Sequence, residues 1–126
     1  MIIGIGTDMV LVSRIEAVVG RQGERFAQRI LTDDELQRYR AHSQPVRYLA
    51  KRYAAKEAIL KALGTGLAKG MSWKHMQIDN DAHGAPHVVL SGVALERLQQ
   101  GGGGRMLLSL SDEREQALAF AVWSGE

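Results

Sequence analysis

Glu57 and Lys61 lie four residues apart and are the first residues of this sequence that suggest chemistry. On a helix, side chains at this spacing leave the surface as neighbours. A carboxylate beside an ammonium suits a bound metal ion and a phosphate, and the glycine turn Gly64-Thr65-Gly66 follows closely. An ordinary surface ion pair would show the same spacing, so the pair alone leaves both interpretations open.

The neighbouring cations of this segment favour an anion site. Arg52 and Lys56 precede Lys61, and Lys56 falls within the apolar arc, where a purely structural helix would have Leu or Ala. A long lysine can also extend its ammonium out of such an arc, which is the structural alternative. Ala50 and Ala54 lie beside the carboxylate and ammonium and predict open space for a ligand there.

Asp8 is a second candidate carboxylate, near the end of the apolar segment formed by residues 2–10. A carboxylate among apolar neighbours needs a partner or a metal ion, although a lone aspartate at a strand end is also a common turn or cap residue. Gly4-Ile5-Gly6 supplies half of a dinucleotide-binding fingerprint. No third glycine follows at the required spacing, which argues against a Rossmann domain.

A long helix over Leu49–Leu63 is predicted to position Glu57 and Lys61, because strong helix formers dominate it. Pro45 suits the start of this helix and Gly64 its end. The predicted core face consists of Leu49, Tyr53, Leu60 and Leu63.

Shorter elements complete the predicted fold. Capping boxes at Ser13–Glu16 and Thr32–Glu35 predict helices that start at Arg14 and after Thr32, with Phe26–Leu31 helical between them. Four further strands are predicted at 76–79, 87–90, 106–111 and 117–123, with a hairpin turn over 80–86 and a helix over 93–99. The sequence therefore predicts one α+β domain, residues 1–126, in which an antiparallel sheet packs against the long central helix and shorter helices.

Composition and charge narrow the class of protein. Cysteine is absent, which excludes disulfides and thiolate metal sites, and the first apolar run is too short for a signal peptide or membrane span. We therefore expect a soluble, cytoplasmic protein. Residues 14–52 contain nine basic residues, eight of them arginine, against five acidic ones. Such a segment favours an acidic partner, whether nucleic acid, nucleotide or protein, although a solvated basic face is the simpler alternative.

Four segments taken together suggest a family. They are Gly4–Asp8 with Arg14-Ile15-Glu16, Phe26–Glu35 (FAQRILTDDE), Arg47–Gly66 (RYLAKRYAAKEAILKALGTG) and Ser109–Glu113 before an apolar strand. In this order and spacing they resemble the holo-[acyl-carrier-protein] synthases, small 4′-phosphopantetheinyl transferases of fatty acid biosynthesis. The resemblance covers nearly the whole chain, and the helix end KEAILKALGTG makes it specific.

The resemblance implies a transfer of 4′-phosphopantetheine from coenzyme A to a serine of apo-acyl carrier protein, with release of adenosine 3′,5′-bisphosphate. It implies that Asp8 and Glu57 bind Mg²⁺, which suits hard oxygen ligands. It also implies that Lys61 contacts the diphosphate, that the turn at Gly64, Thr65 and Gly66 lies against the nucleotide, and that Arg52 contacts the 3′-phosphate. The proton of the serine would pass to a metal-bound water or to Glu57.

The resemblance also implies a homotrimer with active sites at the subunit boundaries. A chain of 126 residues has little depth to enclose a ligand as large as coenzyme A, which agrees with that expectation. Acyl carrier proteins are strongly acidic, so we predict that the basic first helical region binds them. That predicted surface consists of Arg14, Arg21, Arg25 and Arg29, with Phe26 as an exposed aromatic anchor beside Gln22.

Asp112 departs from the family pattern, because many members have histidine between the serine and glutamate that correspond to Ser111 and Glu113. An aspartate there is expected to repel the nucleotide phosphate, so position 112 receives no role. Two other classes of function stay open from the sequence alone. One is a nucleic-acid-binding module that uses the arginine-rich first third, and the other is a regulatory domain that binds coenzyme A without turnover.

Overall fold

The computed structural model describes all residues, 1–126. In chain order the elements are β1 (Ile2–Leu11), α1 (Val12–Gln22), α2 (Glu24–Ile30), α3 (Asp33–Ala41), α4 (Pro45–Leu63), a 3-10 turn (Trp73–His75), β2 (Met76–Asn80), β3 (Pro86–Leu90), α5 (Gly92–Gln100), β4 (Arg105–Asp112) and β5 (Gln116–Ser124). No helix is long and apolar enough to cross a membrane.

The strands form two antiparallel sheets. β5 lies between β1 and β4 in a three-stranded sheet, and β2 pairs with β3 in a hairpin. Asp81 accepts hydrogen bonds from the backbone N–H groups of His83 and Ala85 within the hairpin turn, at 2.8 and 2.9 Å. The predicted α+β class is therefore confirmed, with two sheets where the sequence predicted one.

The long helix α4 packs on one side of the three-stranded sheet, which we call the inner face, and small residues on both elements bring them close together. Ala50 and Ala54 of α4 are fully buried, as are Ala119 and Ala121 of β5. The prediction that the two helix alanines leave open space for a ligand is therefore wrong. Short side chains on both surfaces allow the backbones to approach, so the sheet fills that space.

Gly4 and Gly6 make the approach of β1 to α4 possible. A Cβ atom on Gly4 would lie 2.1 Å from the carbonyl oxygen of Ala62, and one on Gly6 would lie 2.0 Å from that of Ala58. Both distances are far below contact range, so no side chain fits. Since strand residues alternate between faces, Asp8 follows these two glycines on the inner face.

Of the two predicted capping boxes, one is confirmed. Thr32 accepts from the Glu35 backbone N–H while the Glu35 carboxylate accepts from the Thr32 N–H at 2.9 Å. The box at Ser13 is wrong, because α1 begins at Val12 directly after β1 and has no side-chain cap. The Val12 N–H donates instead to the carbonyl of Glu115, at 2.9 Å, so tertiary pairing replaces the expected cap.

Lys56 is fully buried and takes part in an internal ion pair. Its Nζ donates to the Glu35 carboxylate at 2.6 Å, to the Ile30 carbonyl at 2.7 Å and to the Trp73 carbonyl at 3.2 Å. Burial lowers the pKa of Lys56, and the Glu35 carboxylate opposes that change. The prediction that Lys56 belongs to an anion site is therefore wrong, since all three ammonium donors have protein partners.

Candidate active site

Asp8 and Lys61 meet where β1 crosses α4. The Lys61 Nζ lies 2.9 Å from the Thr7 carbonyl oxygen and 3.4 Å from Asp8 Oδ1. The Asp8 side chain is only 19% exposed, whereas that of Lys61 is 54% exposed. The ammonium therefore covers the carboxylate from the solvent side and remains free to contact a ligand.

Glu57 belongs to the same cluster. Partial burial raises the pKa of Glu57, and the negative charge of Asp8 raises it further. Burial and then the charges of Glu57 and Asp8 raise the pKa of Tyr53, whereas Arg14 opposes that rise. Asp8 and Glu57 are therefore close enough to influence one another electrostatically, and Arg14 is close enough to influence Tyr53.

Aromatic packing fixes the position of Tyr53 beside Glu57. The Tyr53 ring lies 5.8 Å from the ring of Phe26 and 5.6 Å from that of Trp73, measured between centroids. Such tilted aromatic contacts stabilise a single side-chain arrangement. Tyr53 therefore packs between two aromatic rings next to Glu57.

The glycine turn after α4 lines a cavity next to Glu57 and Lys61. Gly64 and Gly66 have φ angles of 79° and 59°, in the region that favours glycine, and Gly64 ends the helix. These two glycines line a cavity of about 270 Å³ together with Leu60, Leu67 and the Glu57–Lys61 pair. Thr65 lines a neighbouring cavity instead, so two of the three predicted turn residues share the cavity of Glu57 and Lys61.

The carboxylate pair fits a hard divalent cation. No group of three or more histidine, cysteine, aspartate or glutamate side chains that could hold a metal ion is present in the structure. Mg²⁺ is commonly held by one or two carboxylates, with phosphate oxygens and water completing its six positions. Burial, and then the negative charge of Asp8, raise the pKa of Glu57, so the ionised carboxylate is unfavourable there and a cation would stabilise it.

A larger and strongly basic cavity, of about 510 Å³, lies at the other end of α4. We call it the basic cavity. Its charged and polar lining residues are Arg38, His42, Arg47, Tyr48, Lys51, Arg52 and Asn80. Arg52 is 3% exposed, donates to Asn80 Oδ1 at 2.8 Å and stacks over the Tyr48 ring at 4.6 Å.

The prediction that Arg52 and Lys61 form one anion site beside the glycine turn is wrong within a single chain, because Arg52 lies far from that turn. Arg52 and Lys61 are nine residues apart, which corresponds to about 180° around a helix and about 14 Å along it. Arg47 and Lys51 also line the basic cavity and were not predicted as site residues. The sequence does contain a signal for them, because two cations four residues apart in the first turns of α4 lie on one face of the helix.

The predicted carrier-binding arginines are exposed on α1 and α2, namely Arg14, Arg21, Arg25 and Arg29. Phe26 is only 9% exposed and packs against Tyr53, so the prediction of an exposed aromatic anchor is wrong. Glu24 lies between these arginines in the sequence and forms an ion pair with Arg40. That pairing lowers the pKa of Glu24.

The outer face of the three-stranded sheet has no covering layer. Ile5 and Met9 of β1 are 61% and 59% exposed, and Leu118 and Phe120 of β5 are 42% and 43% exposed. The strand register brings them together, since Met9 pairs with Leu118 and Thr7 pairs with Phe120. A contiguous apolar surface of this kind is typical of an interaction site.

Comparison with known proteins identifies the family. Residues 4–121 match the 4′-phosphopantetheinyl transferase superfamily. The chain is 50% identical over 121 residues to the holo-[acyl-carrier-protein] synthase of Shewanella frigidimarina, which covers 96% of each sequence.

Two solved structures have the same fold. The holo-[acyl-carrier-protein] synthase of Neisseria meningitidis superposes with a TM-score of 0.89 at 46% identity, covering 97% of this chain and 98% of that one. The Bacillus anthracis synthase, solved in complex with coenzyme A (3′,5′-ADP), superposes with a TM-score of 0.82 at 33% identity, covering 100% and 99%. The chain therefore belongs to the holo-[acyl-carrier-protein] synthase family of enzymes, within the 4′-phosphopantetheinyl transferase superfamily.

Proposed function

We propose that this enzyme transfers the 4′-phosphopantetheine group of coenzyme A to a serine of apo-acyl carrier protein in a Mg²⁺-dependent reaction. Adenosine 3′,5′-bisphosphate is the second product, and the reaction supports fatty acid biosynthesis. The observation that carries this proposal is the contact of Asp8 with Lys61, which lines a cavity together with Glu57 and two glycines of the turn after α4. The relative from Bacillus anthracis, which binds coenzyme A, supports the substrate.

Each residue of this cluster has a role that its chemistry suits. Asp8 and Glu57 would hold Mg²⁺, which when bound offsets the charge of the diphosphate and of the departing phosphate. The exposed Lys61 ammonium would contact the same diphosphate as a flexible point charge. Gly64 and Gly66 have no side chains to keep the nucleotide away from the backbone.

Arg52 in the basic cavity is the proposed contact for the 3′-phosphate. Since Arg52 and Lys61 point to opposite sides of α4, one coenzyme A molecule would reach both only if they came from different chains. The uncovered apolar outer face of the three-stranded sheet offers a surface for such an assembly. We therefore propose a homotrimer, in which each active site combines the carboxylate cluster of one chain with the basic cavity of its neighbour.

The carrier protein would bind to the exposed arginines of α1 and α2. Arginine pairs well with carboxylates, and Arg14 lies close enough to Tyr53 to affect the pKa of that hydroxyl. A carrier bound at Arg14 would therefore bring its serine near Glu57 and Asp8. As a carrier-modifying enzyme, the protein would act in the cytoplasm as one folded unit of residues 1–126, without nucleic acid or membrane.

Reversing the charge of Arg14 or Arg21 tests this docking surface. We expect Arg14→Glu and Arg21→Glu to raise KM for the carrier about tenfold at low salt, with KM for coenzyme A nearly unchanged. The effect should shrink at high salt, because screening shortens to about 3 Å at 1 M. Steady-state kinetics with each substrate varied in turn provides the measurement.

Lys74→Glu is the matched control for these two reversals, because Lys74 is exposed on the 3-10 turn and has no ion pair. It should leave both KM values unchanged. An unchanged carrier KM in both arginine variants at low ionic strength would show that the carrier binds elsewhere, and the basic first third would then be a solvated face.

The reaction itself is tested by mass spectrometry of apo-acyl carrier protein after incubation with the enzyme, coenzyme A and Mg²⁺. The expected product is a carrier heavier by one phosphopantetheine group, formed only when Mg²⁺ is present. An unmodified carrier, with coenzyme A bound but intact, would favour the regulatory domain. Strong, salt-dependent binding of DNA or RNA without carrier modification would favour the nucleic-acid-binding module.

A further inference from the structure

Asp112, the last residue of β4, lies between two cations of α4. Its Oδ2 accepts from Arg47 Nη1 at 3.1 Å, and its Oδ1 lies 3.5 Å from Lys51 Nζ. The side chains of Arg47, Lys51 and Asp112 are 24%, 33% and 30% exposed, so the cluster sits at the surface rather than in the core. One carboxylate therefore holds two cations that are four residues apart on one helix face.

Further hydrogen bonds fix Arg47 in the same place. Its guanidinium donates to the carbonyl of Glu113 at 2.6 Å and to that of Arg114. These contacts attach the turn between β4 and β5 to the first turns of α4. Asp112 therefore accepts a hydrogen bond from a guanidinium that other contacts already hold in place. The Lys51 ammonium contacts only Asp112 and keeps donors that have no protein partner.

The two cations line the basic cavity, whereas Asp112 does not. The carboxylate is thus not part of the cavity surface, although both of its cationic partners are. Arg38 also lines the cavity, but it is paired with Asp79 at 3.0 Å. No acidic residue is part of the lining, so the cavity remains positive although two carboxylates are nearby.

Two buried polar atoms of the lining residues have no hydrogen-bond partner. They are the Arg52 Nε and the Tyr48 hydroxyl oxygen, and both residues are more than nine-tenths buried. Buried polar atoms without a partner are unfavourable, and both of these belong to residues that line the cavity. The cavity lining therefore combines exposed cations with buried polar groups that lack partners.

We propose that Arg47 and Lys51 determine selectivity for the terminal 3′-phosphate of coenzyme A, and that Asp112 is a positioning residue that holds both cations at the rim of the basic cavity. This inference rests on the proposed function, since it names further residues for the nucleotide half of that site. It also replaces the expectation that Asp112 repels the phosphate, because the carboxylate is paired with two cations and does not line the cavity.

The two possible roles of Asp112, positioning the cations or repelling the phosphate, predict opposite changes in KM for coenzyme A in Asp112→Asn. If the carboxylate positions the cations, the isosteric amide loosens them and raises KM for coenzyme A, by about two- to fivefold for a partly exposed pair. If the carboxylate repels the phosphate, the same change lowers that KM. Lys51→Gln, which removes a rim cation directly, should raise KM for coenzyme A by about tenfold, as expected for one charged hydrogen bond.

The test compares coenzyme A with 3′-dephospho-coenzyme A as substrates for the wild-type enzyme and both variants. We expect KM for coenzyme A to rise in Asp112→Asn and Lys51→Gln, with KM for the dephospho substrate and kcat for both substrates unchanged. Lys74→Gln is the control for the loss of one positive charge and should change nothing. A merely structural role would change the kinetics of both substrates alike.

Two outcomes would overturn this inference. One is a lower KM for coenzyme A in Asp112→Asn, and the other is an equal change, or no change, for both substrates in Lys51→Gln. Either outcome would leave the transfer reaction of the wild-type enzyme intact, so the proposed function would stand. Absence of carrier modification by the wild-type enzyme would instead remove the proposed function itself.

Discussion

Glu57→Gln should lower kcat by at least about 100-fold while the protein stays folded, as expected when the charge that holds a catalytic cation is removed. The amide has the same shape as the carboxylate but no negative charge to offer Mg²⁺. Glu57 is only partly buried and makes no ion pair, so the fold does not depend on it. The measurements are single-turnover carrier modification, Mg²⁺ titration and the thermal unfolding midpoint.

Glu96→Gln is the matched control, because Glu96 is an exposed helical glutamate without an ion pair. It should keep full activity and the same Mg²⁺ dependence. Near-normal turnover in folded Glu57→Gln protein would end the assignment of Glu57 to the metal site and would leave Asp8 as the only carboxylate of the cluster.

Glu35→Gln should produce the largest loss of stability, about 3–5 kcal/mol in the free energy of unfolding. The Glu35 carboxylate is fully buried and accepts from the Lys56 ammonium, from the Thr32 N–H at 2.9 Å and from the Ile78 N–H at 2.8 Å. An amide has only one acceptor oxygen for these three donors and leaves the buried ammonium without a counter-charge. Urea unfolding followed by circular dichroism measures the change.

Asp33→Asn provides the comparison, since Asp33 is exposed in the first turn of the same helix and has no ion pair. Removing the Asp33 charge should lower the free energy of unfolding by at most about 1 kcal/mol, because that charge interacts favourably with the helix dipole. If Glu35→Gln unfolds at the same urea concentration as the wild-type protein, the buried pair does not hold α3, α4 and β2 together as we describe.

The sequence predicts local features of this protein well. Gly64 ends α4 and Thr32 caps α3 as expected, because the relevant hydrogen bonds join residues within one turn. The strands around the 80–86 turn were also predicted within about two residues, since alternation and turn chemistry are local signals.

Features that depend on distant partners were predicted less well. Lys56 looks like a ligand-binding lysine on its own helix, and only Glu35, 21 residues earlier, shows its structural role. Phe26 likewise looks exposed until Tyr53 packs against it. Ser13 has the pattern of a cap, but the hydrogen bond from Val12 to Glu115 decides where α1 begins.

In the candidate site too, local features were predicted better than those that depend on distant residues. Glu57 and Lys61 were paired from their spacing, and β1 brings Asp8 to them because Gly4 and Gly6 allow close approach. The position of Arg52 on the other side of α4 was not predicted. At about 100° per residue, nine residues place Arg52 about 180° around the helix from Lys61.

We propose that each active site joins the carboxylate cluster of one chain to the basic cavity of another. Co-refolding of Glu57→Gln with Arg52→Gln tests this arrangement, with coenzyme A held well below the KM of the Arg52 variant so that each variant alone has little activity. In a closed ring of randomly mixed chains, about a quarter of the sites would combine two intact halves. We predict that the mixture recovers about a quarter of wild-type carrier modification, measured by mass spectrometry. Activity no greater than the sum of the separate variants would contradict a shared site.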